Sequence, residues 1–169
     1  GLAEVGPSLQ VSSFQTWEAV ALAYERLLRP QRVITPAMRD WVAGLRRAAT
    51  SPRGQVSEPL WLDAIVSGVT RDIRYVGLEF GVHGVQPYRT DAVWGRRFGD
   101  CKDQALLLST LLGVAGLDAR VALVRTRPLG RIDDPLPSLV LFDHAIAWLP
   151  DRAQYVDPTA RTFGLGELP

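Results

Sequence analysis

Apolar residues recur at three- and four-residue intervals through the first third of the chain. Trp17, Val20, Ala21, Tyr24 and Leu28 share one face of a helix over Trp17–Leu28, with Thr16 placed to cap it and Pro30 to end it. Thr35-Pro36 joins a capping threonine to a proline suited to the first helical position. A second helix is predicted from there to about residue 49, with Met38, Trp41, Val42 and Leu45 on one face. Ser51-Pro52-Arg53-Gly54 reads as a turn. Ser57, followed by Glu58 and Pro59, opens a third helix carrying Leu60, Leu62, Ile65, Val66 and Val69, and 73–76 reads as a short strand.

The pattern then lapses. Residues 77–98 are rich in glycine, proline and aromatics without a period, which predicts an ordered loop of functional interest. A strong helix follows over 101–115, its core face supplied by Leu107, Leu108, Leu111 and Leu112. After it the period drops to two, predicting strands over 119–125 and 139–148, joined by the Pro/Gly/Asp-rich loop 128–138. A third strand over 154–156 is stopped by Asp157-Pro158. Helices first and an antiparallel sheet after them predict an α+β fold. The chain reads as a single domain over 1–169, with an N-terminal helical region over 1–56, a core over 57–159 and a loosely held tail over 160–169.

Composition narrows the function. A chain of 169 residues can bury a core without disulfides or metal. Its net charge of +1 is scattered, which argues against the concentrated basic face that a nucleic-acid partner needs. The longest apolar stretch, 105–123, is interrupted by Ser109, Thr110, Gly113, Gly116, Asp118 and Arg120, so no membrane insertion is expected from this segment. The sequence starts without Met and without a leader-like run, so we expect a domain excised from a larger protein or a processed product. Lys102 is the one lysine, and a solvated position leaning away from its neighbour's site is expected for it, since adjacent helical residues point about 100° apart.

There is one cysteine, so no internal disulfide can form. A lone cysteine is usually a small buried apolar residue. Here it stands in Gly99-Asp100-Cys101-Lys102-Asp103. Asp100 is a good N-cap and Asp103 can serve as the acid of a capping box. Cys101 then falls in the first helical turn, where unpaired N–H groups and the helix dipole favour a thiolate. The Cys101 amide is also a natural donor to an oxyanion. A cysteine nucleophile needs a base, and the chain has two histidines. His144 lies in the alternating run Phe142-Asp143-His144-Ala145-Ile146-Ala147-Trp148, where a strand would hold the imidazole firmly. His83, in the glycine-rich loop, is expected to be exposed or bonded to backbone. Asp157 closes the last strand and can lie beside His144 to orient it, although an Asp-Pro pair is also a common turn opener.

Four blocks carry a resemblance: Asp72-Ile73-Arg74-Tyr75-Val76-Gly77, Phe98-Gly99-Asp100-Cys101-Lys102-Asp103-Gln104-Ala105, Gly116-Leu117-Asp118-Ala119-Arg120-Val121 and Tyr155-Val156-Asp157-Pro158-Thr159. They resemble the transglutaminase-like core of bacterial proteins, a branch of the papain-like cysteine protease superfamily. The Gly-Asp-Cys-Lys-Asp version is the form found where that core follows a β-rich domain. The resemblance implies a papain-like α+β fold with Cys101 as nucleophile, His144 as base and Asp157 as orienting acid. It implies thioester chemistry on a protein or peptide substrate, ending in hydrolysis or transfer to an amine, within a larger and extracytoplasmic protein. No tryptophan matches the one that covers the oxyanion in eukaryotic transglutaminases. Gln86 and Tyr88 are therefore the candidate oxyanion or substrate-binding residues, and Trp94 is expected to pack against the nucleophile helix. No cofactor and no metal is expected, since no close-spaced ligand pair and no EF-hand loop is present. The alternative is a papain-like fold kept as a binding module for proteins or peptides.

Overall fold

Local capping sets the start of the first helices. In the computed structural model, which describes residues 9–77, 80–130 and 136–160, helix α1 spans Trp17–Leu28 and the Thr16 hydroxyl accepts the Ala19 N–H. Helix α2 spans Pro36–Ala48 and the Thr35 hydroxyl accepts the Met38 N–H. Helix α3 spans Glu58–Asp72, with Ser57 supplying an extended entry but no side-chain cap. Leu62, Ile65, Val66 and Val69 are buried on α3, whereas Leu60 is exposed, because two residues of helix carry it to the far side from Leu62. Close contact joins α2 to α3. A Cβ at Gly68 would lie 2.5 Å from Trp41 Cζ2, so the missing side chain is what admits the indole.

The aperiodic stretch 77–98 holds more structure than its composition predicts. Strand β1 (Arg74–Tyr75) pairs in parallel with strand β2 (Phe98–Gly99), and between them lies helix α4 (Thr90–Arg96). Seven residues are too few for a helical period to show against neighbouring turns. Packing fixes α4 instead. Val93 is fully buried, and Trp94 meets Trp41 edge to face at 5.3 Å while packing on the core that contains the leucines of the next helix. The Thr90 hydroxyl accepts the Val33 N–H at 2.8 Å, tying α4 to the lead-in of α2.

Helix α5 (Cys101–Val114) runs through the middle, buried on every side from Cys101 to Leu112. Such all-round burial marks a central helix with layers on both sides. Leu107, Leu108, Leu111 and Leu112 join Met38, Val42, Leu62, Ile65 and Val93 in one core. The other layer is an antiparallel sheet of strands β3 (Arg120–Val124), β4 (His144–Leu149) and β5 (Gln154–Val156), in the order β3-β4-β5. The register pairs Val124 with His144 and Ala147 with Val156. Small residues let the central helix approach β4, and Ala145 packs on Cys101 and Ala105. The predicted strand over 139–148 starts later. Leu139–Leu141 make a 3-10 turn, and the Asp143 carboxylate accepts the Thr126 N–H at 2.7 Å, turning the chain into the sheet. The fold is mixed α+β, as the order of the patterns predicts. The predicted tail lies, but for Ala160, outside the described residues, as does the middle of the 128–138 loop.

Candidate active site

The first turn of α5 is clamped by its own cap. Asp100 accepts the Asp103 N–H at 3.2 Å and Asp103 accepts the Asp100 N–H at 3.3 Å, completing the capping box expected from the sequence. The Gly99 carbonyl accepts from Val76 N–H at 3.0 Å and from Gln104 Nε2 at 3.1 Å, so β1 steadies the entry to the helix. A Cβ at Gly99 would fall 2.6 Å from Asp103 Cβ, so glycine is required for this closure. Cys101 follows directly, a free thiol with 8% of its surface exposed. Helix geometry leaves its N–H without an intrahelical acceptor.

His144 reaches this thiol from the first residue of β4. Its Nε2–H donates to Asp157 Oδ2 at 2.8 Å, and the ring also hydrogen-bonds to the Cys101 thiol. With Nε2 taken by the carboxylate, Nδ1 is the nitrogen left for sulfur. The hydrogen bond to Asp157, then that to Cys101, pushes the His144 imidazole up from 6.5 to about 10. Burial alone would raise the Asp157 carboxyl. The bond from His144 and two from Thr159, its N–H at 2.9 Å and its hydroxyl at 2.7 Å, outweigh this and hold it below the ordinary value. At neutral pH the ring is therefore an imidazolium. The same shifts link the pair to stability. The His144 contribution is complete below about 6.5 and lost as pH rises towards 10. The Asp157 contribution is present above the ordinary carboxyl value and lost as pH falls through its lowered one.

Lys102 departs from the expected solvated position. Its side chain is 7% exposed, its ammonium pairs with the fully buried Asp100 carboxylate, and it lines the same cleft as Cys101. The physical reason is the burial of Asp100: a carboxylate removed from water needs a cation within reach. The neighbouring Asp103 has its own, Arg96, at 3.0 Å. Burial, followed by the charge of Asp100, nevertheless pushes the Asp103 carboxyl above its ordinary value.

Cys101 and His144 open onto a cleft of about 290 Å³ walled by Tyr24, Val85, Leu123, Leu139, Val140 and Phe142, with Lys102 and Asp143 as further charged members beside His144. The 77–98 segment reaches this cleft through Gly84 and Val85. Gln86 and Tyr88, the candidates for the oxyanion or substrate, are not among the residues that line this cleft. The Tyr88 ring is stacked on His83 at 3.6 Å and covered by the Arg96 guanidinium at 4.2 Å, while its N–H donates to Asp103 at 2.8 Å. Gln86 gives its carbonyl to His83 Nδ1 at 3.0 Å, the backbone-bonded role expected of that histidine. Through Asp103, Tyr88 braces the start of α5. Proximity in sequence to the nucleophile suggests Gln86 and Tyr88, whereas the loop turns its glycine end to the cleft.

The fold has a counterpart among solved structures. The chain is similar to the crystal structure of a "putative protease" from Parabacteroides distasonis, with a TM-score of 0.64 and 13% identity, covering 91% of this chain. It spans 31% of that protein, about a third of its length. At this identity the likeness is one of fold. No family model matches the sequence, and no curated protein does so.

Chemically, a thiol at a helix N-terminus, an imidazolium bonded to it and a carboxylate behind the ring can carry out nucleophilic attack and protonate a leaving group. Among the described residues no cluster of three or more His, Cys, Asp or Glu side chains is arranged to hold a metal ion. Sequence reasoning misses Thr159, whose two bonds fix the Asp157 carboxylate. The signal is present in Asp157-Pro158-Thr159, since an aspartate commonly bonds the backbone two residues on.

Proposed function

We propose that Cys101, His144 and Asp157 act as a catalytic triad in a papain-like core of transglutaminase type, performing acyl transfer on amide bonds of a protein or peptide. The observation that carries this reading is the single imidazole bonded on one side to Asp157 at 2.8 Å and on the other to the thiol at the start of α5. Cys101 sulfur attacks the carbonyl carbon, the carbonyl π pair moves to oxygen, and the Cys101 N–H stabilises that charge. As the C=O re-forms, the C–N bond breaks and the departing nitrogen takes its proton from His144. A thioester remains, and water or a second amine resolves it with His144 as base.

The test is acid-quenched intact-mass analysis after mixing with glutamine-containing and peptide-amide substrates, with and without an amine donor. A thioester adduct on Cys101 that is missing in Cys101→Ser is the expected result. Turnover to free acid marks hydrolysis, and incorporation of the amine marks transfer. Because His144 must hold a proton for the leaving group, the alkaline limb of the rate profile is expected near pH 10. An alkaline limb near 6.5, the ordinary histidine value, would show that the His144 bonds do not persist in solution.

A further inference from the structure

Tyr24 lies on α1, far from the α5 motif in sequence, and its helical spacing assigns it to the core. It is only 5% exposed, and its ring packs with Leu28 and Leu106. Its edge, however, lines the cleft that contains Cys101, Lys102 and His144. Buried phenols ordinarily find a hydrogen-bond partner. Among the described residues none bonds the Tyr24 hydroxyl, yet Gln154 Oε1 is the one fully buried side-chain polar atom left unpartnered. The Tyr24 hydroxyl is therefore not sealed in the core; the ring borders both this cleft and a neighbouring groove beside Trp17 and Glu25, and the charges acting on the phenol, those of Cys101, Asp100 and Asp103, put its hydroxyl on the Cys101 side.

Building on the acyl-transfer reading, we propose that Tyr24 is a catalytic residue whose hydroxyl, together with the Cys101 N–H, donates to the oxyanion formed on the substrate carbonyl. Two features fit this role. The hydroxyl bonds nothing among the described residues, and its ring lines the same cleft as Cys101, whose N–H has no intrahelical acceptor, so one donor from α1 and one from α5 border the same space. Burial, followed by the charges of Cys101, Asp100 and Asp103, also raises the phenol well above its ordinary value, so it keeps its proton at neutral pH. In the step itself the S–C bond forms and the carbonyl π pair passes to oxygen. Tyr24 lends a hydrogen bond and keeps its proton, and it releases that bond as the C=O returns and the leaving nitrogen takes the His144 proton. No charge is gained or lost at the phenol.

The experiment compares the wild type with Tyr24→Phe, which removes an oxygen that bonds nothing among the described residues. Acylation of Cys101 by a p-nitrophenyl ester of an N-acyl leucine is followed by the nitrophenolate burst and intact mass. Alkylation of Cys101 by iodoacetamide is followed in parallel, because displacement at a saturated carbon creates no oxyanion. The expected result is an acylation rate lowered by about 10²- to 10³-fold, as for loss of one oxyanion donor, with the alkylation rate unchanged. Equal acylation by wild type and Tyr24→Phe would overturn the role of Tyr24 alone. Acylation and alkylation falling together would also overturn it, by showing that Tyr24 acts on the thiol or the fold. A wild type that is alkylated but not acylated would overturn the acyl-transfer reading and this one with it.

Discussion

Replacing Asp157 with Asn is expected to lower the acylation rate by roughly 10²- to 10⁴-fold while leaving the fold intact. The amide keeps the size of the carboxylate, and its oxygen can still accept the two Thr159 bonds that hold Asp157 now. What changes is the ring. The bond from Nε2 to Asp157 is the largest reason that His144 stays protonated, so its loss lets the imidazole fall back towards 6.5. The asparagine NH₂ facing Nε2 would also favour the tautomer with its hydrogen on Nδ1 of a neutral ring, which cannot take a proton from the thiol. A pH–rate profile separates this from a general loss of activity. The alkaline limb should move down from about 10 together with the fall in rate. Unchanged activity would leave Asp157 as a turn residue only.

The second large effect is on stability. Changing Lys102 to Met should cost about 3–5 kcal/mol, because it strands the Asp100 charge in a fully buried position. Asp100 cannot retreat to solvent without giving up the N-cap of α5. The double change Asp100→Asn with Lys102→Met should recover most of that loss, since it leaves no unpaired charge and an asparagine still caps. Urea denaturation of the wild type and both variants at neutral pH measures the two quantities. A single change costing less than about 1 kcal/mol, the range of exposed pairs, would mean that the pair is solvated.

The features of this structure that can be read from the sequence are those written in consecutive residues. Thr35-Pro36, Asp100 with Asp103, and the alternation through Ala145 and Ala147 each fix an element without distant help. The meeting of His144 with Asp157 is legible for the same reason, since a strand, a turn and a returning strand place the two side by side. Features set by contact between distant segments are not legible. Helix α4 depends on Trp94 finding Trp41, and Tyr24 faces the cleft because α1 lies against the start of α5. Lys102 escapes the expectation because the rule that lysines stay exposed speaks of residues on average. The depth of Asp100, which decides the matter, is a property of the assembled core.

The site is divided between layers, and this has a consequence for biosynthesis. Everything that shapes the start of α5, from Val76 to Gln104, precedes the sheet in the chain. His144 and Asp157 come later and take position only when β4 and β5 lie against that helix. As the chain emerges from the ribosome, α5 can form with its cysteine in place while no base exists to activate it. On the triad proposed above, the thiol gains its base and its carboxylate only when β4 and β5 have been made and docked.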